Sequence, residues 1–140
     1  MSTDARARPA DPRYTEREKA WLLDICDNAD LAREFTSGVS IDTYRRDELK
    51  KAATERVVAR ASDAAYRLRD RGPVLIPEED WKRMRGMGNV LRHEYDHVVD
   101  ELVFKVATVD LPRLKRAIVE LLGIDYQMLD KSDDPNEDRS

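Results

Sequence analysis

The stretch from Ile41 to Arg71 constrains the fold of this chain more than any other. Within it Leu49, Ala52, Ala53, Val57, Ala61, Ala64, Ala65 and Leu68 recur every three or four residues. That spacing lays one apolar stripe along an α-helix. Ser40 stands where an N-cap belongs, and Gly72-Pro73 stands where a helix stops. The many alanines predict close approach of a second helix. Composition agrees: 41% hydrophobic, 39% charged and only 6% aromatic residues describe a helical protein with a charged surface, rather than a sandwich or barrel.

The neighbouring segments read the same way. Thr15-Glu16-Arg17-Glu18 is a capping-box pattern. It opens a helix to about Thr36, with Trp21, Leu22, Ile25, Ala29, Ala32 and Phe35 on one side and Ser37-Gly38 after its end. Val74-Leu75-Ile76 is bracketed by prolines and is expected to be a buried extended link. Pro77 with Glu78, Glu79 and Asp80 is expected to open a third helix, because acids suit the positive end of the helix dipole. Gly86 and Gly88 predict a break or kink there, since each weakens a helix by about 1 kcal/mol against Ala. Helix resumes at Asn89, with Val90 and Leu91 inward. A last helical region spans about Val98 to Leu122, interrupted at Asp110-Leu111-Pro112, where Asp110 is a suitable cap, and closed by Gly123. The expected fold is all-α, an up-and-down bundle of four or five helices.

A chain of 140 residues makes one domain. The expected organisation is a disordered segment over 1–12, a helical domain over 13–124 and an acidic, disordered tail over 125–140. The net charge is −4, and the tail alone, with six acids and two bases, carries all of it. The body is therefore neutral, which excludes a broadly basic, histone-like binder but still permits local focusing of positive charge. No run reaches the roughly 18 apolar residues of a membrane span, and the N-terminus has no apolar stretch typical of a secretory signal. Cys26 is the single cysteine, which fits a reducing cytoplasm. Among Leu22, Ile25 and Ala29 it reads as core filler.

Chemistry gathers between Trp81 and His97. That segment holds both histidines, three arginines and two of the five glycines. His93-Glu94-Tyr95-Asp96-His97 spells H-E-x-x-H, which in zinc proteases supplies two metal ligands and a general base. Here the pattern is weak: Asp96 places a charge where such helices are apolar, and no third ligand stands out. No metal or other cofactor is expected. On a continuous helix, Arg85, Asn89 and His93 would fall at i, i+4 and i+8 on one face, with Arg92 beside them. A cation, an amide and an imidazole together suit a phosphodiester. Arginine holds the non-bridging oxygens as charge develops, and imidazole moves protons near neutrality. Attack by a 2′-hydroxyl needs both an acid and a base, and a symmetric dimer brings two copies of the site across one groove. The bland alternative is a solvated basic helix end with a hydrogen-bonded histidine.

Asp80 to Tyr95, which contains Gly86-Met87-Gly88-Asn89-Val90-Leu91-Arg92-His93-Glu94-Tyr95, together with Thr108-Val109-Asp110-Leu111-Pro112-Arg113-Leu114, resembles the HepT-like family (DUF86) of the HEPN superfamily. There the first motif reads Gly-Met-Arg-Asn-x-Leu-x-His-x-Tyr, and the second opens the final helix. Ser40-Ile41-Asp42-Thr43-Tyr44 also sits where the family often begins a helix, and the likeness covers about residues 17–122. The resemblance implies a homodimeric helical bundle and the toxin of a bacterial toxin–antitoxin module. It implies a metal-independent ribonuclease acting on RNA, with an MntA-like nucleotidyltransferase antitoxin that adds AMP to the motif tyrosine. By position His93 matches the motif histidine, Asn89 the polar residue and Tyr95 the modified tyrosine. The motif arginine falls on Gly88. Arg85 lies outside the usual spacing and Arg92 is adjacent to His93, so either the cation comes from one of these by another route or the chain is a catalytically degenerate module that binds RNA or a nucleotidyltransferase.

Overall fold

The computed structural model describes residues 11–93, 97–123 and 125–127, without the side chains of His97 and Val98. Among these residues the fold is all helical, with no strand. Seven α-helices follow in order: α1 (Glu16–Thr36), α2 (Ile41–Arg46), α3 (Glu48–Leu68), α4 (Arg71–Leu75), α5 (Trp81–His93), α6 (His97–Lys105) and α7 (Leu111–Leu122). A π-helical turn, Val106–Asp110, joins the last two. None of these helices is long and apolar enough to cross a membrane.

The start of α1 follows the sequence closely. The Glu18 amide donates to the Thr15 hydroxyl (3.0 Å), and the Thr15 amide donates to the Glu18 carboxylate (2.9 Å). The other Glu18 oxygen accepts from Arg71 Nε at 2.7 Å. That contact ties the beginning of α1 to the segment after α3, so α1 and α3 run antiparallel. The Arg71 hydrogen bond, followed by the Thr15 amide, holds the buried Glu18 carboxyl below its usual range despite the cost of burial. Leu22, Ile25, Cys26, Ala29 and Ala32 form the inner face of α1. Burial pushes the Cys26 thiol up to about 12.

The helix expected unbroken from Ile41 to Arg71 is two helices. Asp47 adopts an extended conformation (φ −104°, ψ 94°) and caps α3 by accepting from the Lys50 amide at 3.0 Å. The break turns Leu49 outward, leaving it 82% exposed, and sends Tyr44 inward against Phe104 of α6, ring centroids 5.1 Å apart. Ala52 is likewise exposed. Beyond the break the expected stripe is in place: Val57, Ala61, Ala64, Ala65 and Leu68 are buried.

Gly72-Pro73 does not stop α3, which ends at Leu68; Arg69 turns the chain with a positive φ of 53°. Nor is Val74–Ile76 an extended link. Arg71–Leu75 forms one helical turn, with Val74 facing water and Ile76 buried. Gly72 is the seat of an indole ring. A Cβ there would lie 2.7 Å from Trp81 Cδ2, and Trp81 Nε1 donates to the Ile76 carbonyl at 2.7 Å. The third helix accordingly starts later than the proline predicts, at Trp81, where the Asp80 carboxylate accepts from the Arg83 amide (3.0 Å).

Two further expectations are corrected. Gly86 and Gly88 do not break α5, which runs through both. The interruption expected at Asp110-Leu111-Pro112 is present as the π-helical turn Val106–Asp110 ahead of α7, but the cap expected from Asp110 is not. With no N–H at Pro112, the chain widens by one residue, and the Leu111 amide reaches the Val106 carbonyl. Asp110 is helical and makes no cap hydrogen bond. Its buried carboxylate lies between Arg83 Nη1 (3.6 Å) and Arg113 Nη2 (3.7 Å), while Arg113 Nε also meets Glu79 (3.1 Å). This ionic cluster fixes the start of α5 against α7. Gly123 ends α7 with φ 56°, as the sequence predicts. Asp125–Gln127, which the sequence assigns to the tail, is helical and attached: the Tyr14 hydroxyl donates to Asp125 at 2.9 Å. Residues 1–10 and 128–140 lie outside the described residues.

Candidate functional site

Because α5 is unbroken, Arg85, Asn89 and His93 do share one helical face. Eight residues at the α-helical rise place Arg85 and His93 about 12 Å apart along the axis. Lys82, Gly86, Asn89 and His93 form a stripe along the side opposite Met84 and Met87, which are buried. Asn89, Arg92 and His93 are exposed, and Arg85 is half-buried.

Gly88 lies where α5 meets α3, and the two run antiparallel there. Its amide donates to the Ser62 hydroxyl at 2.9 Å, and that hydroxyl donates in turn to the Arg85 carbonyl at 3.2 Å. Ser62 is buried. A Cβ on residue 88 would stand 3.3 Å from Ser62 Oγ, closer than side chains normally pack, and 3.5 Å from Arg92 Nη1. Two consequences follow. The glycine permits a close helix–helix contact that any side chain would push apart by a few tenths of an ångström. And the Arg92 guanidinium folds back one turn along α5, toward the place a side chain at residue 88 would occupy.

Arg85 is held differently. Its Nη1 donates to the Arg69 carbonyl at 3.4 Å, which ties its side chain to the turn that ends α3. Sequence reasoning brings Arg85, Asn89 and His93 to one face only on a helix that runs through Gly86 and Gly88, where it expects a break; α5 does run through, and the reasoning misses Ser62 altogether. The available signal was a single serine in an alanine-rich helix facing a glycine-bearing one. It also misses Arg83 and Arg113, whose clamp on Asp110 explains the Asp-Leu-Pro motif as a device that orients α5.

Glu94, Tyr95 and Asp96 lie outside the described residues, as does the His97 side chain. The H-E-x-x-H reading and the tyrosine modification both fall there. Among the described residues no three His, Cys, Asp or Glu side chains cluster as metal ligands would. A concavity of about 630 Å³ lies between α1 and α3, lined by Trp21, Arg56, Arg60 and Arg67 with Asp24 and Asp63, and takes no residue from α5.

Comparison with known proteins finds two matches that cover most of the chain. The family described as Ribonuclease HepT-like matches residues 25–121, most of the chain. A protein of Methanocaldococcus jannaschii named "Putative RNase" is 26% identical over 100 residues, which covers 71% of this chain and 92% of that protein. No solved structure matches.

Proposed function

We propose that this chain, which belongs to the ribonuclease HepT-like family, cleaves RNA without a metal ion, with the exposed end of α5 as its active surface. In this reading His93 takes the proton from a ribose 2′-hydroxyl, and the 2′-oxygen attacks the adjacent phosphorus. The bond from phosphorus to the 5′-oxygen breaks. That oxygen leaves with a proton from a second acid, and a 2′,3′-cyclic phosphate remains. The second acid is the partner's His93 across the cleft of a homodimer. Arg92 neutralises the non-bridging oxygens as charge builds, Arg85 holds the next phosphate, and Asn89 hydrogen-bonds between them.

The observation that carries the reading is the position of Arg92. Its guanidinium lies 3.5 Å from the Cβ site of residue 88, one residue from His93. Glycine at 88 therefore need not leave this stretch of α5 without a cation, because Arg92 brings one back to the root of the missing side chain from one turn further on. A family tyrosine at position 95 makes AMP addition by a nucleotidyltransferase antitoxin the natural form of control, in a cytoplasmic toxin–antitoxin module. An anion added two residues from His93 would repel RNA.

The test is incubation of purified protein with tRNA in the presence of chelator. Cleavage leaving a 2′,3′-cyclic end, and lost in His93→Ala, is expected. Cleavage that survives His93→Ala refutes the assignment. Intact mass after coexpression with the adjacent gene product reads AMP on Tyr95. A second reading has support in the tight Gly88–Ser62 contact: α5 has exchanged its catalytic arginine for packing, and the chain only binds. Inducible expression separates the two. Toxicity that disappears with His93→Ala favours the enzyme, and soluble protein without toxicity favours the binding module.

A further inference from the structure

A groove runs between α3 and α5, lined by Tyr66, Arg69, Lys82, Arg85 and Gly86, with a volume of about 510 Å³. Three of these five residues are cations and none is acidic. Asp63, one turn before Tyr66 on α3, is engaged by Arg67 Nε at 2.9 Å. Lys82 and Gly86 belong to the same stripe of α5 as Asn89 and His93, so the groove leads along the helix toward the candidate catalytic end.

Two residues in it have no explanation in folding. Tyr66 is 66% exposed, although a large aromatic surface is normally covered, and here it stands beside cations in an open groove. Gly86 lies inside a continuous helix, where glycine is unfavourable, yet a Cβ there would meet nothing within 4 Å. Unlike Gly72 and Gly88, packing does not require it. A glycine kept at such a position lets something outside the chain approach the backbone closely.

An exposed aromatic ring, cations on both walls and a bare helix backbone are together the chemistry that recognises an unpaired nucleotide: a π-face for the base, charge for the phosphate, room for the sugar. We propose that this groove is a subsite for a single-stranded segment of the RNA. Tyr66 stacks a base, Lys82 and Arg85 hold its phosphate, and the strand continues along α5 to His93. The proposal rests on the ribonuclease reading and deepens it. It makes the substrate an RNA with an unpaired stretch beside the scissile bond, because a paired base cannot present its face to Tyr66.

The experiment uses the full chain carrying His93→Ala, so that RNA stays intact, and follows the fluorescence anisotropy of a labelled, unstructured RNA oligonucleotide. Tyr66→Ala is expected to weaken binding about tenfold and Tyr66→Phe to leave it near the parent value. Lys82→Ala should weaken binding and lower the salt slope by about one. Gly86→Ala should raise the melting temperature while weakening binding, a combination that a purely structural glycine would not give. Unchanged affinity in Tyr66→Ala and Lys82→Ala overturns the subsite. So does a change of oligomeric state in those variants without an effect on RNA, which would make the groove an interface between copies. Binding through the groove by a protein that never cleaves defeats the ribonuclease reading alone. Cleavage by Tyr66→Ala with unchanged KM defeats the subsite alone, and absence of any RNA binding in the parent defeats both.

Discussion

The contact between Gly88 and Ser62 can be dissected by a double-mutant cycle. Alone, Gly88→Ala replaces a helix-interior glycine and should gain about 1 kcal/mol. The new methyl, however, would stand 3.3 Å from Ser62 Oγ. Either the helices separate, at the cost of overpacking, about 1 kcal/mol or more, or the hydroxyl turns away from the Gly88 amide and the Arg85 carbonyl. Losing a buried hydrogen bond of that kind costs about 1 kcal/mol. The two effects nearly cancel, and the single variant should match the parent or fall slightly below it. Ser62→Ala removes the hydroxyl and is expected to cost about 1 kcal/mol. In that background the crowding is gone, so Gly88→Ala should recover its helix gain. The coupling between the two sites, read from urea unfolding at neutral pH, is then about 1 kcal/mol in favour of the double variant. Effects that add within about 0.3 kcal/mol would show that Ser62 is not the reason for glycine at 88, and the packing account would fall.

Other expectations are more direct. Gly72→Ala drives a methyl into the Trp81 ring, where only 2.7 Å is available, and should destabilise by about 1–3 kcal/mol; a midpoint unchanged in urea would refute the seating of the indole. The pH dependence of stability should carry a contribution from Glu18. Its carboxyl is held below the usual range in the folded state, first by Arg71, so its stabilisation is complete above the unfolded value and is lost as pH falls through the folded one. Unfolding free energies at neutral pH and near pH 3 should therefore differ by less in Glu18→Gln than in the parent. An identical difference would mean that the Arg71 contact contributes nothing.

How much of this was legible in the sequence depended on the range of the forces involved. The capping box at Thr15, the Ser40 cap and the Gly123 stop are local, and each appears where the residues place it. Asp47 is local chemistry too, but inside a good helical period an aspartate reads as surface. Only the burial of Tyr44 against Phe104 decides that it caps instead. The glycines were misread because propensity is a weak term. Gly72 answers to an indole nine residues later, and Gly88 answers to a serine on another helix. Neither partner can be named from spacing. The same holds for Asp110, whose carboxylate faces Arg83 of α5 as well as Arg113 one turn on, instead of capping its own helix. At the candidate site, the periodicity brings Arg85, Asn89 and His93 to one face only on a continuous helix, and the glycines argued for a break that α5 does not have. The direction of the Arg92 guanidinium, which makes Gly88 something other than a simple loss, depends on a side-chain conformation that a sequence does not carry.

That guanidinium is the central claim, and single-turnover cleavage of RNA tests it. Arg92→Ala should cut the cleavage rate by about 10²–10³-fold, the scale of removing one donor to a developing oxyanion. Adding Gly88→Arg together with Ser62→Ala, which relieves the crowding at residue 88, should restore part of the rate, because a cation again projects from this stretch of α5. If Arg92→Ala cleaves at the parental rate, Arg92 does not stand in for the missing arginine, and the active surface assigned to the end of α5 is wrong.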